Sequence, residues 1–96
     1  MNWYDATNKK DPTSCNGEYR LNLSWLNHSV NDGAAYYSVN KDFDGSWYST
    51  FWHGNRGYVI ANELKNISLA KGICIEHMKD MYLKFTEQIN GIQLTI

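Results

Sequence analysis

Ala35-Tyr36-Tyr37-Ser38-Val39-Asn40-Lys41-Asp42-Phe43-Asp44-Gly45-Ser46-Trp47-Tyr48-Ser49-Thr50-Phe51-Trp52-His53 is the stretch that decides the fold. Two aromatic, alternating runs flank Asp44-Gly45, a pair that tolerates the φ > 0 of a tight hairpin turn. The spacing predicts a strand with Ala35, Tyr37 and Val39 on one face and Tyr36, Ser38 and Asn40 on the other. The next strand, Ser46 to His53, sets Trp47, Ser49, Phe51 and His53 against Tyr48, Thr50 and Trp52. It is apolar on both sides, so periodicity alone does not choose its buried face. Gly54-Asn55-Arg56-Gly57 turns the chain again, into a strand at Tyr58-Val59-Ile60-Ala61.

Upstream, Tyr19, Leu21, Leu23 and Trp25 alternate with Arg20, Asn22 and Ser24, which predicts another half-buried strand. Asn31-Asp32-Gly33 marks the turn that follows it. Residues 5–18 are polar and contain the only proline, so residues 1–18 read as a loop or mobile arm. Downstream, Ser68 is the expected N-cap of a long helix. Ala70, Ile73, Cys74, Met78, Met81, Phe85 and Ile89 follow helical spacing, with Ile75, Tyr82 and Leu83 off that stripe. Asn90-Gly91 is expected to end the helix, and Ile92, Leu94 and Ile96 alternate as in a short C-terminal strand. The expected fold is α+β: a four-stranded antiparallel meander packed by one long α-helix, with a short C-terminal strand. It forms a single domain over residues 1–96.

Ninety-six residues suffice for one modest core. Nine Lys and Arg against ten Asp and Glu leave a net charge of −1, which argues against a domain that relies on neutralising phosphates. No segment reaches the ~18 apolar residues of a membrane span, and Met1–Asp5 lacks the basic start and apolar run of a signal peptide. A cytoplasmic setting without membrane contact is expected. Asn40-Lys41-Asp42-Phe43-Asp44-Gly45 resembles half of a calcium loop, but the twelfth position falls on Phe51, which cannot ligate. Cys74 and His77 share a helix face, yet neither Glu76 nor Asp80 is clearly placed to orient the imidazole for nucleophilic catalysis. The three His and two Cys show no zinc spacing. No enzyme activity, metal or cofactor is expected, and pairing of Cys15 with Cys74 is left open.

The candidate binding residues are Tyr36, Tyr48 and Trp52, with Asp42 and Asp44 beside them. If Tyr37, Val39, Trp47 and Phe51 face the helix, the three aromatics project together from the opposite face. Trp and Tyr dominate interface hot spots because they bury much area at low entropic cost. The same row could instead pack under the N-terminal arm or the C-terminal tail, or form a homodimer seam. Those alternatives stay open.

Leu23-Ser24-Trp25, Tyr37-Ser38-Val39, Trp47-Tyr48 and the helix-opening run from Ile67 to His77, Ile-Ser-Leu-Ala-Lys-Gly-Ile-Cys-Ile-Glu-His, resemble a pattern of small phage- and prophage-encoded proteins. In that pattern, Trp- and Tyr-bearing strands are closed by a helix of the S-L-x-x-A-K type. Proteins of that build include anti-CRISPR and other anti-defence proteins, which act by occluding a host protein. The resemblance carries no catalytic residues. It implies a non-enzymatic inhibitor in the host cytoplasm that binds a host protein, a nuclease or a nucleic-acid-binding defence complex. The alternative is a single-stranded nucleic-acid or carbohydrate binding module that stacks bases or sugar rings on the same aromatics.

Overall fold

The computed structural model describes residues 2–23 and 35–94. Five strands form one antiparallel sheet in sequence order: β1 (Trp3–Asp5), β2 (Glu18–Asn22), β3 (Ala35–Lys41), β4 (Trp47–His53) and β5 (Arg56–Leu64). One helix, α1 (Ile67–Leu94), packs on one face. The α+β class and the antiparallel meander agree with the sequence reading. Trp25 and the Asn31-Asp32-Gly33 turn lie outside the described residues.

Register settles which face of β4 is buried. Tyr37 lies opposite Phe51, and Tyr36 opposite Trp52. Facing residues in an antiparallel pair share a side of the sheet, so one choice fixes both strands. Tyr37 is fully buried with Leu21, Leu23, Val39, Ala70 and Cys74, and Phe51 and Trp47 pack against that cluster. The ring of Tyr37 lies 5.1 Å from that of Phe51 and 5.6 Å from that of His77. Tyr36, Tyr48 and Trp52 are therefore on the outer face.

The fifth strand, β1, lies where the sequence predicts a loop or mobile arm. It pairs Trp3 with Leu21 and Asp5 with Tyr19, covering the outer edge of β2. An uncovered strand edge leaves a row of N–H and C=O groups unpaired, which three residues suffice to cover here. The Lys71 ammonium holds this edge to the helix, 5.4 Å from the Trp3 ring centre and 5.1 Å from that of Tyr19. Residues 7–17 are also pinned: Asp11 Oδ1 accepts from both the amide and the hydroxyl of Thr13, and the Ala6 amide donates to the Glu18 carbonyl.

Three further expectations need correction. The helix begins two residues earlier than a Ser68 cap implies: Asn66 is the cap, its side-chain oxygen accepting from the Leu69 amide at 2.8 Å. The helix does not end at Asn90-Gly91, and no C-terminal strand forms at 92–94, because α1 continues to Leu94. Ending it there would put Gly91 in the left-handed region, which it does not adopt. One helical Gly costs only about 1 kcal/mol relative to Ala, so Gly91 alone does not stop the helix. Residues 95 and 96 lie outside the described part. Lastly, the buried stripe is narrower: Ala70 and Cys74 are buried and Ile75 packs on the core, whereas Phe85 and Ile89 are exposed.

β5 is longer than Tyr58–Ala61, and its pairing with β4 shifts register between Trp47 and Thr50. Both cysteines are free thiols, Cys74 buried and Cys15 half-buried. Among the described residues no helix is long and apolar enough to cross a membrane.

Candidate functional site

Outward-pointing residues of β2, β3 and β4 build the surface opposite α1. At one end Tyr36 and Trp52 stack across neighbouring strands, ring centres 5.8 Å apart and planes 11° apart. The Trp52 indole nitrogen donates to the Ser38 hydroxyl at 3.0 Å. Its six-membered ring packs so closely on Gly57 that a Cβ there would lie 2.8 Å from it. The Arg20 guanidinium sits 4.9 Å from the Tyr36 ring centre and is bonded through Nε to the Glu18 carboxylate. Burial by itself lowers the Arg20 pKa, and the Glu18 carboxylate overrides that, so the net shift is upward. Burial likewise raises the Tyr36 and Tyr48 phenols.

Glu18 is buried and well partnered. The Asn40 side-chain amide donates to Glu18 Oε1 at 2.6 Å and to the Thr13 carbonyl at 2.9 Å. The Tyr48 hydroxyl also donates to that carbonyl, at 3.3 Å. A groove of about 350 Å³ runs between Tyr48 and Trp52 over Thr50 and Ser38. Tyr48 also walls a second hollow of about 310 Å³, shared with Pro12, Phe43 and Val59.

That second hollow leads to the β3–β4 turn. The Asp42 amide donates to the Ser46 carbonyl at 2.7 Å and the Gly45 amide to the Asp42 carbonyl at 3.0 Å. Gly45 takes φ 89° as the last residue of a turn over 42–45, while Asp44 is not at positive φ, so the loop is longer than a tight turn made by Asp44-Gly45 alone. Asp44 Oδ1 accepts from the hydroxyl and amide of Ser46, at 2.6 and 2.9 Å, and these bonds lower its pKa. Asp42 Oδ1 accepts from the Phe43 amide. These bonds occupy the carboxylates inside the turn, as in a hairpin rather than a calcium loop. At its tip Phe43 is 76% exposed between the two carboxylates.

The five residues singled out from the sequence thus lie on one continuous surface in two parts. Tyr36 and Trp52 form a packed pair, Asp42 and Asp44 form the turn, and Tyr48 lies between them. Phe43 was missed because an apolar residue inside an Asp- and Gly-rich turn reads as turn filler. Its only signal is that such a residue has no strand face to bury it.

The helix face offers a different arrangement. Burial pushes the Cys74 thiol up to about 11, and His77 Nδ1 lies 2.6 Å from the Tyr37 hydroxyl. The imidazole is thus engaged by a phenol rather than by the thiol. Among the described residues no cluster of three or more His, Cys, Asp and Glu is placed to hold a metal ion. Comparison of the chain with protein-family models, curated proteins and solved structures returns no match.

Proposed function

We propose that this is a non-enzymatic binding protein whose β3–β4 turn and adjoining outer sheet face dock on a partner protein. The observation that carries this reading is Phe43, a large aromatic side chain held out in solvent by a turn that is braced by backbone bonds from Asp42 and Gly45 and by side-chain bonds from Asp42 and Asp44. A rigid apolar anchor rimmed by charge is the form of an interface hot spot, because little entropy is lost when it docks. The Asp44 carboxylate, its pKa depressed by Ser46, is ionised at neutral pH and favours a partner surface carrying Lys or Arg. Tyr48 and exposed Val59 extend the apolar contact along the second hollow. With the phage-type resemblance, the reading becomes occlusion of a host nuclease or nucleic-acid-binding defence complex, at a basic surface that otherwise holds phosphates.

Stacking of bases or sugars is less well supported. It needs a free Trp52 ring and a free cation beside it, whereas Trp52 is packed on Gly57 and Tyr36, and Arg20 is engaged by Glu18. The test is affinity capture from nuclease-treated bacterial lysate at roughly 0.15 M and 0.5 M salt, comparing wild type with Phe43→Ala and Asp42→Asn/Asp44→Asn. A stoichiometric protein retained by wild type and lost by Phe43→Ala supports docking through the turn. Recovery of nucleic acid alone, released at the higher salt, overturns it in favour of a stacking module.

A further inference from the structure

The second half of α1 carries an apolar stripe beyond the reach of the sheet. Ile75 and Met78 pack against the core, while Tyr82, Phe85 and Ile89 are 58%, 59% and 40% exposed. Successive members of this set are 3, 4, 3 and 4 positions apart. That spacing puts all five on one face of the helix, an apolar stripe that continues past the sheet and has the a and d positions on which two helices can pair. His77 stands over the middle of the sheet, against Tyr37 and Phe51, and Met81 is the last of the described side chains of α1 to pack on the core. From Tyr82 to Gly91 every residue except Thr86 is exposed. The described part measures 53 × 29 × 21 Å with a radius of gyration of 15.3 Å, well above the ~12.5 Å of a compact chain of this length.

We propose that a second copy of this chain covers the stripe, the two projecting helix ends pairing antiparallel across a twofold axis. Three observations select this partner. The 3-4 spacing of Tyr82, Phe85 and Ile89 matches that of the same stripe on another α1, so two copies can set these side chains against each other. The positions flanking this part of the seam, Thr86 and Gln88, are uncharged, so nothing there repels an identical chain or selects a different one; Lys84 and Glu87 lie off the seam. A net charge of −1 adds little repulsion between copies. Orientation follows from continuity: each sheet covers Ile75 and Met78, so a parallel partner would drive the two sheets into the same space. The antiparallel arrangement instead sets each free helix end beside the other copy's sheet. Ten or so residues per copy bury less than the ~800 Å² per partner of a standard interface, so the dimer is a weak one that dissociates on dilution.

Sedimentation equilibrium of the full chain from about 5 μM to about 1 mM, a range that reaches weak association, tests the proposal. The average mass should rise from 11.1 kDa towards twice that value. Phe85→Glu and Ile89→Glu should each hold it at the monomer while leaving the Tm in dilute solution unchanged. A wild-type chain that stays monomeric at 1 mM, or a Phe85→Glu chain that dimerises as wild type does, overturns it. So does a lower Tm of Phe85→Glu in dilute solution, which would assign the stripe to a contact within one chain, residues 24–34 included. Phe85 is remote from the Phe43 turn, so loss of pairing and loss of partner capture are separable.

Discussion

The hydroxyl of Tyr37 and Nδ1 of His77 lie 2.6 Å apart, joining the middle of the sheet to the middle of the helix. Tyr37 is fully buried, and its phenol is raised well above its ordinary value by burial, so it remains neutral. Tyr37→Phe keeps the ring and removes this one bond. The expected loss is about 1 kcal/mol, or a Tm lower by about 4–8 °C, read by circular dichroism. An unchanged Tm would mean that the bond adds nothing to helix docking.

Cys74 makes alkaline stability a test of core closure. Its folded-state pKa of about 11 lies above the ordinary thiol value of ~8.5. Below that ordinary value the thiol is neutral in both states, and its contribution to stability is fully present. As pH climbs towards 11 the unfolded chain releases its proton first, so stability falls. Urea unfolding between pH 8 and 11 should show this decline in wild type and a shallower one in Cys74→Ala. Equal slopes would place the thiol in contact with water.

Two glycine substitutions should act with opposite sign. Gly57→Ala puts a methyl group 2.8 Å from the Trp52 ring, which must leave Ser38 or Tyr36 to make room. A cost of about 1–3 kcal/mol is expected, with a change in tryptophan fluorescence. A Cβ at Gly72 meets nothing within 4 Å, so Gly72→Ala should raise helix stability by about 1 kcal/mol. Thermal melts of the two variants decide both.

Phe43→Ala should leave folding stability within about 0.5 kcal/mol of wild type, because the side chain is exposed. Its effect belongs to partner capture, where at least a tenfold loss is expected of an anchor, on the order of 1.4 kcal/mol or more. Trp52→Ala removes a ring stacked and hydrogen-bonded on the sheet, so a loss of about 3 kcal/mol is expected in folding itself. Differential scanning fluorimetry separates the two. Equal destabilisation would remove Phe43 as a dedicated docking residue.

The hairpin was legible because Asp44-Gly45 and the alternation on either side make one consistent pattern, which also puts Tyr36, Tyr48 and Trp52 on a shared face; that this face is the outer one came only from the packing of Tyr37 and Phe51 under the helix. β1 was not, because three residues carry too little period-two signal, and their pairing depends on an edge that exists only once β2 is in place. The helix end was misread because Gly marks a C-cap only when the backbone turns left-handed, a choice the tertiary surroundings make. Sequence spacing also cannot show that Trp52 is half committed to Gly57, since that contact joins neighbouring strands across a turn. The exposure of Phe43 is likewise a property of the closed hairpin and not of the residue.

Strands laid down in sequence order also bear on synthesis. Each strand of the meander pairs with its neighbour in the chain, so on a ribosome the sheet can assemble stepwise as residues emerge, with short turns closing β3 on β4 and β4 on β5. The helix comes last, and among the described residues it is Ala70 and Cys74 that complete the cluster of Leu21, Tyr37 and Val39. Chains that stop before about residue 81 should therefore be recognised as incomplete and degraded, whereas those that stop soon after can already close their core.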